Sequence, residues 1–177
     1  SLVEDLMTLS HVEAEKHDRP SETVDLSQLA ARVVGEVASL MGKERVVLEA
    51  SAPGAAIQAD PGQLEQLLRN LIDNAMKYGG NEQPVRVKVA LAAGRSGPVL
   101  TVADHGPGIA PEHIPHLTRR FYRTDPGRSR ASGGTGLGLA IVKHIVERHR
   151  AQLDISSTLG EGTRVTVVFP PAPDNAA

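Results

Sequence analysis

Apolar positions recur along the chain with two periods. Leu2, Leu6 and Leu9, with Met7 beside them, fall at helical spacing over residues 1–16. This segment reads either as a terminal helix on its own domain or as the end of a coiled-coil hairpin cut from its partner. "HDRPSET" (17–23) reads as a linker. A second amphipathic helix is expected over 24–41, with Asp25 or Ser27 near its cap. The strongest helical pattern covers 61–79, where Pro61 suits the first turn and Gly79 ends it. A fourth helix is expected over Gly136–His149.

Period-two alternation marks the strands. "RVVLEA" (45–50) and "AAIQAD" (55–60) lie around a Pro-Gly turn, and "PVRVKVALA" (84–92) follows the third helix. "VLTVADHGPGI" (99–109) is a strand ending in a glycine corner. "QLDISST" and "TRVTVVFP" form a hairpin through "LGEG" (159–162). Residues 110–135 have weak periodicity and read as a long functional loop with a short helix near His113–Arg120. The tail from 172 to 177 should fray. The mixed order predicts a helical layer on one face of a mixed sheet.

Composition narrows the chemistry. A chain of 177 residues suits one domain with a short appendage. Only 2% of residues are aromatic, so the core is aliphatic and a nucleic-acid stacking platform is not expected. The formal charge of −2 provides no global field for polyanions, so phosphate binding must be local. There are no cysteines, which excludes disulfides and thiolate metal sites. No apolar run is long enough to span a bilayer, and no segment of these 177 residues reads as a signal peptide. The chain opens mid-pattern at Ser1 and reads as a fragment of something larger.

Three segments carry candidate chemistry. On the 61–79 helix, Asn70, Asn74 and Lys77 fall within about 60° of one another beside the apolar stripe, with Tyr78 between stripe and core. An Asn carbonyl is a hard oxygen suited to Mg²⁺, and Lys can meet phosphate. Asp104 ends a strand just before Gly106 and Gly108, where glycine allows a sharp turn and close approach. It can be a plain turn residue or an acceptor for an exocyclic amine. Gly133, Gly134, Gly136 and Gly138 precede and enter the last helix. Each helical glycine costs about 1 kcal/mol relative to alanine. Bare amides at a positive helix end compensate by forming an anion site that can wrap a polyphosphate.

In order and spacing, these segments resemble the boxes of sensor histidine kinases. "NLIDNAMKY" is similar to the N box, "DHGPGI" to G1, "RFYRTD" to the F box, "GGTGLGLAI" to G2 and "STLGEGTRVTVVFP" to G3. "DLMTLSHVEA" resembles the end of the second dimerisation helix, and the stretch from "LTRRFYRTD" to "KHI" looks most like the phosphate-regulon sensor subgroup. The resemblance implies the Bergerat fold, an α/β two-layer sandwich of a mixed sheet and about three helices, with residues 110–135 as a mobile ATP lid. It divides the chain into 1–20, the dimerisation-helix end and linker, then 21–171, the catalytic ATP-binding domain, and 172–177, the tail.

It also implies roles for single residues. Asn74 would ligate Mg²⁺, Asn70 would support the phosphate region and Lys77 would face phosphate. Tyr78 would lie against adenine or ribose, and Asp104 would accept from the adenine amine. Gly106, Gly108 and Ile109 would shape that pocket, with Thr163 on the strand beneath. Gly134, Thr135, Gly136, Leu137, Gly138 and Leu139 would offer donors to the phosphates. Implied partners are the protein's own dimerisation domain, a response-regulator receiver and a second copy in a full-length homodimer. Membrane contact would come only through missing N-terminal segments of a cytosolic part.

Departures matter too. Thr118-Arg119-Arg120 stands where the family often has Phe-Glu-Arg. With Arg123, Arg128 and Arg130 this makes the lid basic. Arg123 or Arg128 would reach ATP or the acceptor domain, or else the loop is simply solvated. No acceptor histidine in the family's context is present, and His11 lacks that context. Gyrase-like and chaperone relatives carry a carboxylate where this chain has Asn70, and an amide cannot take a proton from water. This favours a kinase part over an ATPase module, and leaves a non-enzymatic nucleotide-dependent interaction module as the alternative, since the chain has no acceptor histidine of its own.

Overall fold

The chain folds as β1 (Thr23–Asp25), β2 (Val46–Ala50), β3 (Ala56–Gln58), β4 (Val87–Gly94), β5 (Gly97–Asp104), β6 (Gln152–Thr158) and β7 (Gly162–Val168), with helices α1 (Leu2–Glu15), α2 (Leu26–Met41), α3 (Pro61–Tyr78) and α4 (Gly138–Arg148). This computed structural model describes residues 1–15, 17–50, 55–78, 87–124 and 135–173. Gly79, the start of "PVRVKVALA", and the middle of the expected lid (125–134) lie outside the described residues.

Local chemistry sets the helix ends. The Asp25 carboxylate accepts from the Ser27 and Gln28 amides, at 2.9 and 3.2 Å, and so caps α2. Gly42, at φ 110°, ends it by donating to the Ala38 carbonyl. Along α3 the spacing of Leu64, Leu67, Leu68, Leu71, Ile72 and Ala75 buries one stripe. The expected 136–149 helix is shorter. Gly136 has φ 76°, which no right-handed helix accepts, so Leu137 becomes the N-cap and the helix runs 138–148. The short helix expected near His113–Arg120 is a single 3₁₀ turn, Ile114–His116.

The main sheet has the order β2-β4-β5-β7-β6, with β2 and β4 parallel and the other pairs antiparallel. β2 and β3 do not pair across the Pro-Gly turn. β3 pairs instead with β1, and the Leu26 and Ala59 amides lock that ribbon by donating to the Ala55 and Glu22 carbonyls. The helices cross the sheet in matching order: α2 packs on β2, α3 on β4 and β5, and α4 on β6. Leu100, Val102 and Val167 are buried, so strand parity puts Val46, Asp104, Thr163, Val165, Leu153 and Ser157 on that same helix-facing side. The outer face is polar, with Thr101, Arg164, Thr166 and Asp154.

α1 packs along α4. Its Leu9 and Val12 join the core, whereas Leu2, Val3, Leu6 and Met7 stay exposed. The N-terminal helix thus packs one stripe on its own domain and leaves a second exposed.

Candidate functional site

Asp104, Thr163 and Ser157 are directly paired neighbours across β5, β7 and β6, on the inner face at one end of the sheet. The Asp104 carboxylate accepts from the Gly106 amide at 2.9 Å, which folds the chain back after β5. Burial is the largest influence on it and holds its pKa above the ordinary carboxylate range, against the backbone donors of Gly106 and Thr163. It is therefore an under-solvated acceptor, and a further donor would stabilise its charged form.

The corner that follows is pinned to the hairpin. The Ile109 amide donates to Ser157 Oγ at 2.7 Å, and Ser157 Oγ is 3.0 Å from the Gly162 carbonyl and 2.9 Å from Thr163 Oγ1. The Gly160 amide donates to the Pro107 carbonyl at 2.8 Å. Gly108, at φ 75°, lies so close to β6 that a Cβ would sit 2.4 Å from the Thr158 carbonyl oxygen. Ser157 was not among the expected residues. Its signal in the sequence is a hydroxyl at an inward strand position, in register with Leu153 and Ile155.

Asn70, Asn74 and Lys77 share a side of α3, the element in contact with both β5 and α4. Gln66 Nε2 donates to Asn70 Oδ1 at 2.7 Å, and Asn70 Nδ2 faces the Gly138 carbonyl at 3.4 Å. The carboxamide stripe is thus tied to the first residue of α4. Asn74 is half-buried, Lys77 lies 4.0 Å from Asp73 one turn back, and Tyr78 is exposed at the helix end. Lys77 and Tyr78 are not brought onto the Asp104 row by any described contact. Gln66 is a second residue that motif reading missed.

In front of α4, the Leu137 amide donates to Thr135 Oγ1 at 3.3 Å. Leu137 itself is fully buried and Leu139 packs on the core, so these two offer only backbone to a ligand. The Phe121 amide donates to the Gly136 carbonyl at 2.9 Å, and a Cβ on Gly136 would meet the Phe121 Cα at 2.8 Å. A Cβ on Gly138 would meet nothing within 4 Å, so protein packing does not demand glycine there. Open space, free helix-start amides and glycine together suit an anion. Near the root of the lid, Arg123 Nε is buried without a hydrogen-bond partner. Gly133, Gly134, Arg128 and Arg130 lie outside the described residues.

Residues 59–173 match the family model described as histidine kinase-, DNA gyrase B- and HSP90-like ATPase. The phosphate regulon sensor protein PhoR of Pseudomonas aeruginosa is 39% identical over 174 residues, 97% of this chain but only 39% of that protein. The mycobacterial sensor histidine kinase MprB superposes with a TM-score of 0.72 at 29% identity, over 86% of this chain and 99% of that one. Full-length ShkA in complex with AMPPNP gives 0.78 at 28% identity, over all of this chain and 37% of that one. The chain therefore spans well under half the length of PhoR.

Proposed function

From the premise that this chain belongs to the histidine kinase-, DNA gyrase B- and HSP90-like ATPase family, we propose that it is the ATP-binding catalytic part of a two-component sensor histidine kinase. The observation that carries this reading is the Asn70–Gly138 contact, which joins the carboxamide stripe of α3 to the glycine start of α4. In this reading Asp104 accepts from the adenine amine, with Thr163, Gly106, Gly108 and Ile109 around it. Tyr78 lies against adenine or ribose. Thr135 and the amides from Gly134 to Leu139 hold the phosphates, with Lys77 and Arg123 supplying positive charge. Asn74 holds Mg²⁺, which when bound neutralises phosphate charge. Mg²⁺ commonly binds through one or two protein oxygens with the substrate phosphates supplying the rest, so a single Asn74 carbonyl can suffice. The acceptor is a histidine on a dimerisation domain, and the next carrier is a receiver domain.

Phosphoryl transfer needs position and charge neutralisation more than covalent help from the protein. Water attack needs a base, and Asn70 is an amide. The chain alone should therefore bind ATP yet hydrolyse it slowly. Nucleotide titration with and without Mg²⁺ tests this. Wild type should bind more tightly with Mg²⁺, and Asn74→Ala should lose that gain. Asp104→Asn should lower affinity about tenfold or more, the worth of a charge-assisted hydrogen bond. Adding a dimerisation domain with its histidine should yield acid-labile phosphate. Rapid turnover by the chain alone, lost in Asn74→Ala, would assign it to the hydrolases instead.

A further inference from the structure

The N-terminal helix reaches the loop in front of α4. Thr135 Oγ1 donates to Asp5 Oδ2 at 2.6 Å while accepting from the Leu137 amide at 3.3 Å. The carboxylate thus ends a short chain of dipoles that begins where α4 carries its partial positive charge. Packing holds it there. Leu9 and Val12, one and two turns further along, are 1% and 2% exposed against α4. Beyond them Glu13 pairs with Arg120 and lies 3.3 Å from His144 Nε2. Asp5, Leu9, Val12 and Glu13 lie within about 100° of one another around the helix, so one face of α1 makes all these contacts.

We propose that Asp5 is an internal competitor of the nucleotide's phosphates. With α1 docked along α4, its carboxylate holds the Thr135 hydroxyl and the positive end of the helix. A triphosphate seeks the same donors with the same sign of charge, so the two exclude one another from the loop. Docking of α1 and binding of ATP are then linked reciprocally, each weakening the other. A movement of α1 would raise nucleotide affinity without touching the adenine pocket. The inference rests on the ATP site proposed above.

The test is ATP titration with Mg²⁺ on the whole chain at low salt, for wild type, Asp5→Asn, Asp5→Ala and Glu4→Gln. Glu4 is an exposed neighbour with the same charge, so its variant controls for net charge. Both Asp5 variants should bind about fivefold tighter or more, the lower end of typical coupling between sites. Glu4→Gln should match wild type, and the Asp5 gain should shrink as salt screens the repulsion. In wild type, amide exchange over residues 2–15 should quicken when ATP is added. Equal or weaker binding by the Asp5 variants, beside a wild type that binds, overturns the competition and leaves the site intact. If no form binds ATP, the site assignment falls and the competition falls with it.

Discussion

Gly162 shows how little room the strands leave around the Asp104 row. It has φ 129°, and a Cβ there would lie 2.1 Å from the Asp104 carbonyl oxygen. Neither the angle nor the space admits a side chain, and the atom in the way is backbone. Gly162→Ala should cost about 3 kcal/mol or more, the range for imposed backbone strain and overpacking. Urea denaturation would measure it, and nucleotide affinity should fall as Asp104 and Thr163 are pushed apart. Asn70 illustrates the opposite case. Its identity alone fits several roles, and its bonds to Gln66 and Gly138 add that it links α3 to α4.

The end of α4 shows how elements are registered against each other. His149 Nε2 accepts from the Asp60 amide at 3.1 Å and Nδ1 is 2.7 Å from the Ile145 carbonyl, so the ring is neutral with its proton on Nδ1. Burial, the largest influence, holds its pKa below the ordinary histidine value, with Arg148 acting the same way and Asp60 opposing. As pH falls through about 6.5 the unfolded chain takes up a proton that the folded chain refuses. Stability is therefore whole above that pH and declines below it. Urea midpoints from pH 7.5 down to 5 should fall for wild type and stay flatter for His149→Gln, whose amide oxygen can still accept from Asp60. Equal slopes would remove His149 from this role. Asp25, lowered chiefly by the Ser27 hydroxyl, contributes its own loss only as pH falls below the ordinary carboxylate value toward its lowered one.

At the scale of the molecule, Arg148 ties three parts together. It donates to the Asp18 carbonyl at 2.8 Å, to Asp60 and Gln63 at 3.0 Å each, and lies 3.5 Å from Glu15. The segment after α1, the start of α3 and the end of α4 thus share one nearly buried cation. Arg148→Ala leaves those acceptors short of a donor and should cost about 2 kcal/mol, less than a fully buried pair because Asp60 is partly exposed. It should also speed proteolysis between residues 15 and 23, measured against the intact α2–α4 core. Unchanged cleavage would show that the other contacts of α1 hold it without Arg148.

Local pattern decided a great deal: most of helix against strand, the buried stripe of α3, a cap at Asp25 or Ser27, the final hairpin and the order of the chemical segments, but it reads Thr23–Asp25 as linker and helix where the chain forms β1. Each depends on residues a few positions apart, whose spacing fixes which side they share. Tertiary structure decided the rest. No local signal says that β3 leaves β2 for β1, that Ser157 holds the Ile109 amide, or that Gly136 turns too sharply to be helical. Asp5 and Thr135 are 130 residues apart, and only the packing of α1 on α4 makes them neighbours. Periodicity records which face of an element is apolar, but which surface covers that face depends on the whole fold.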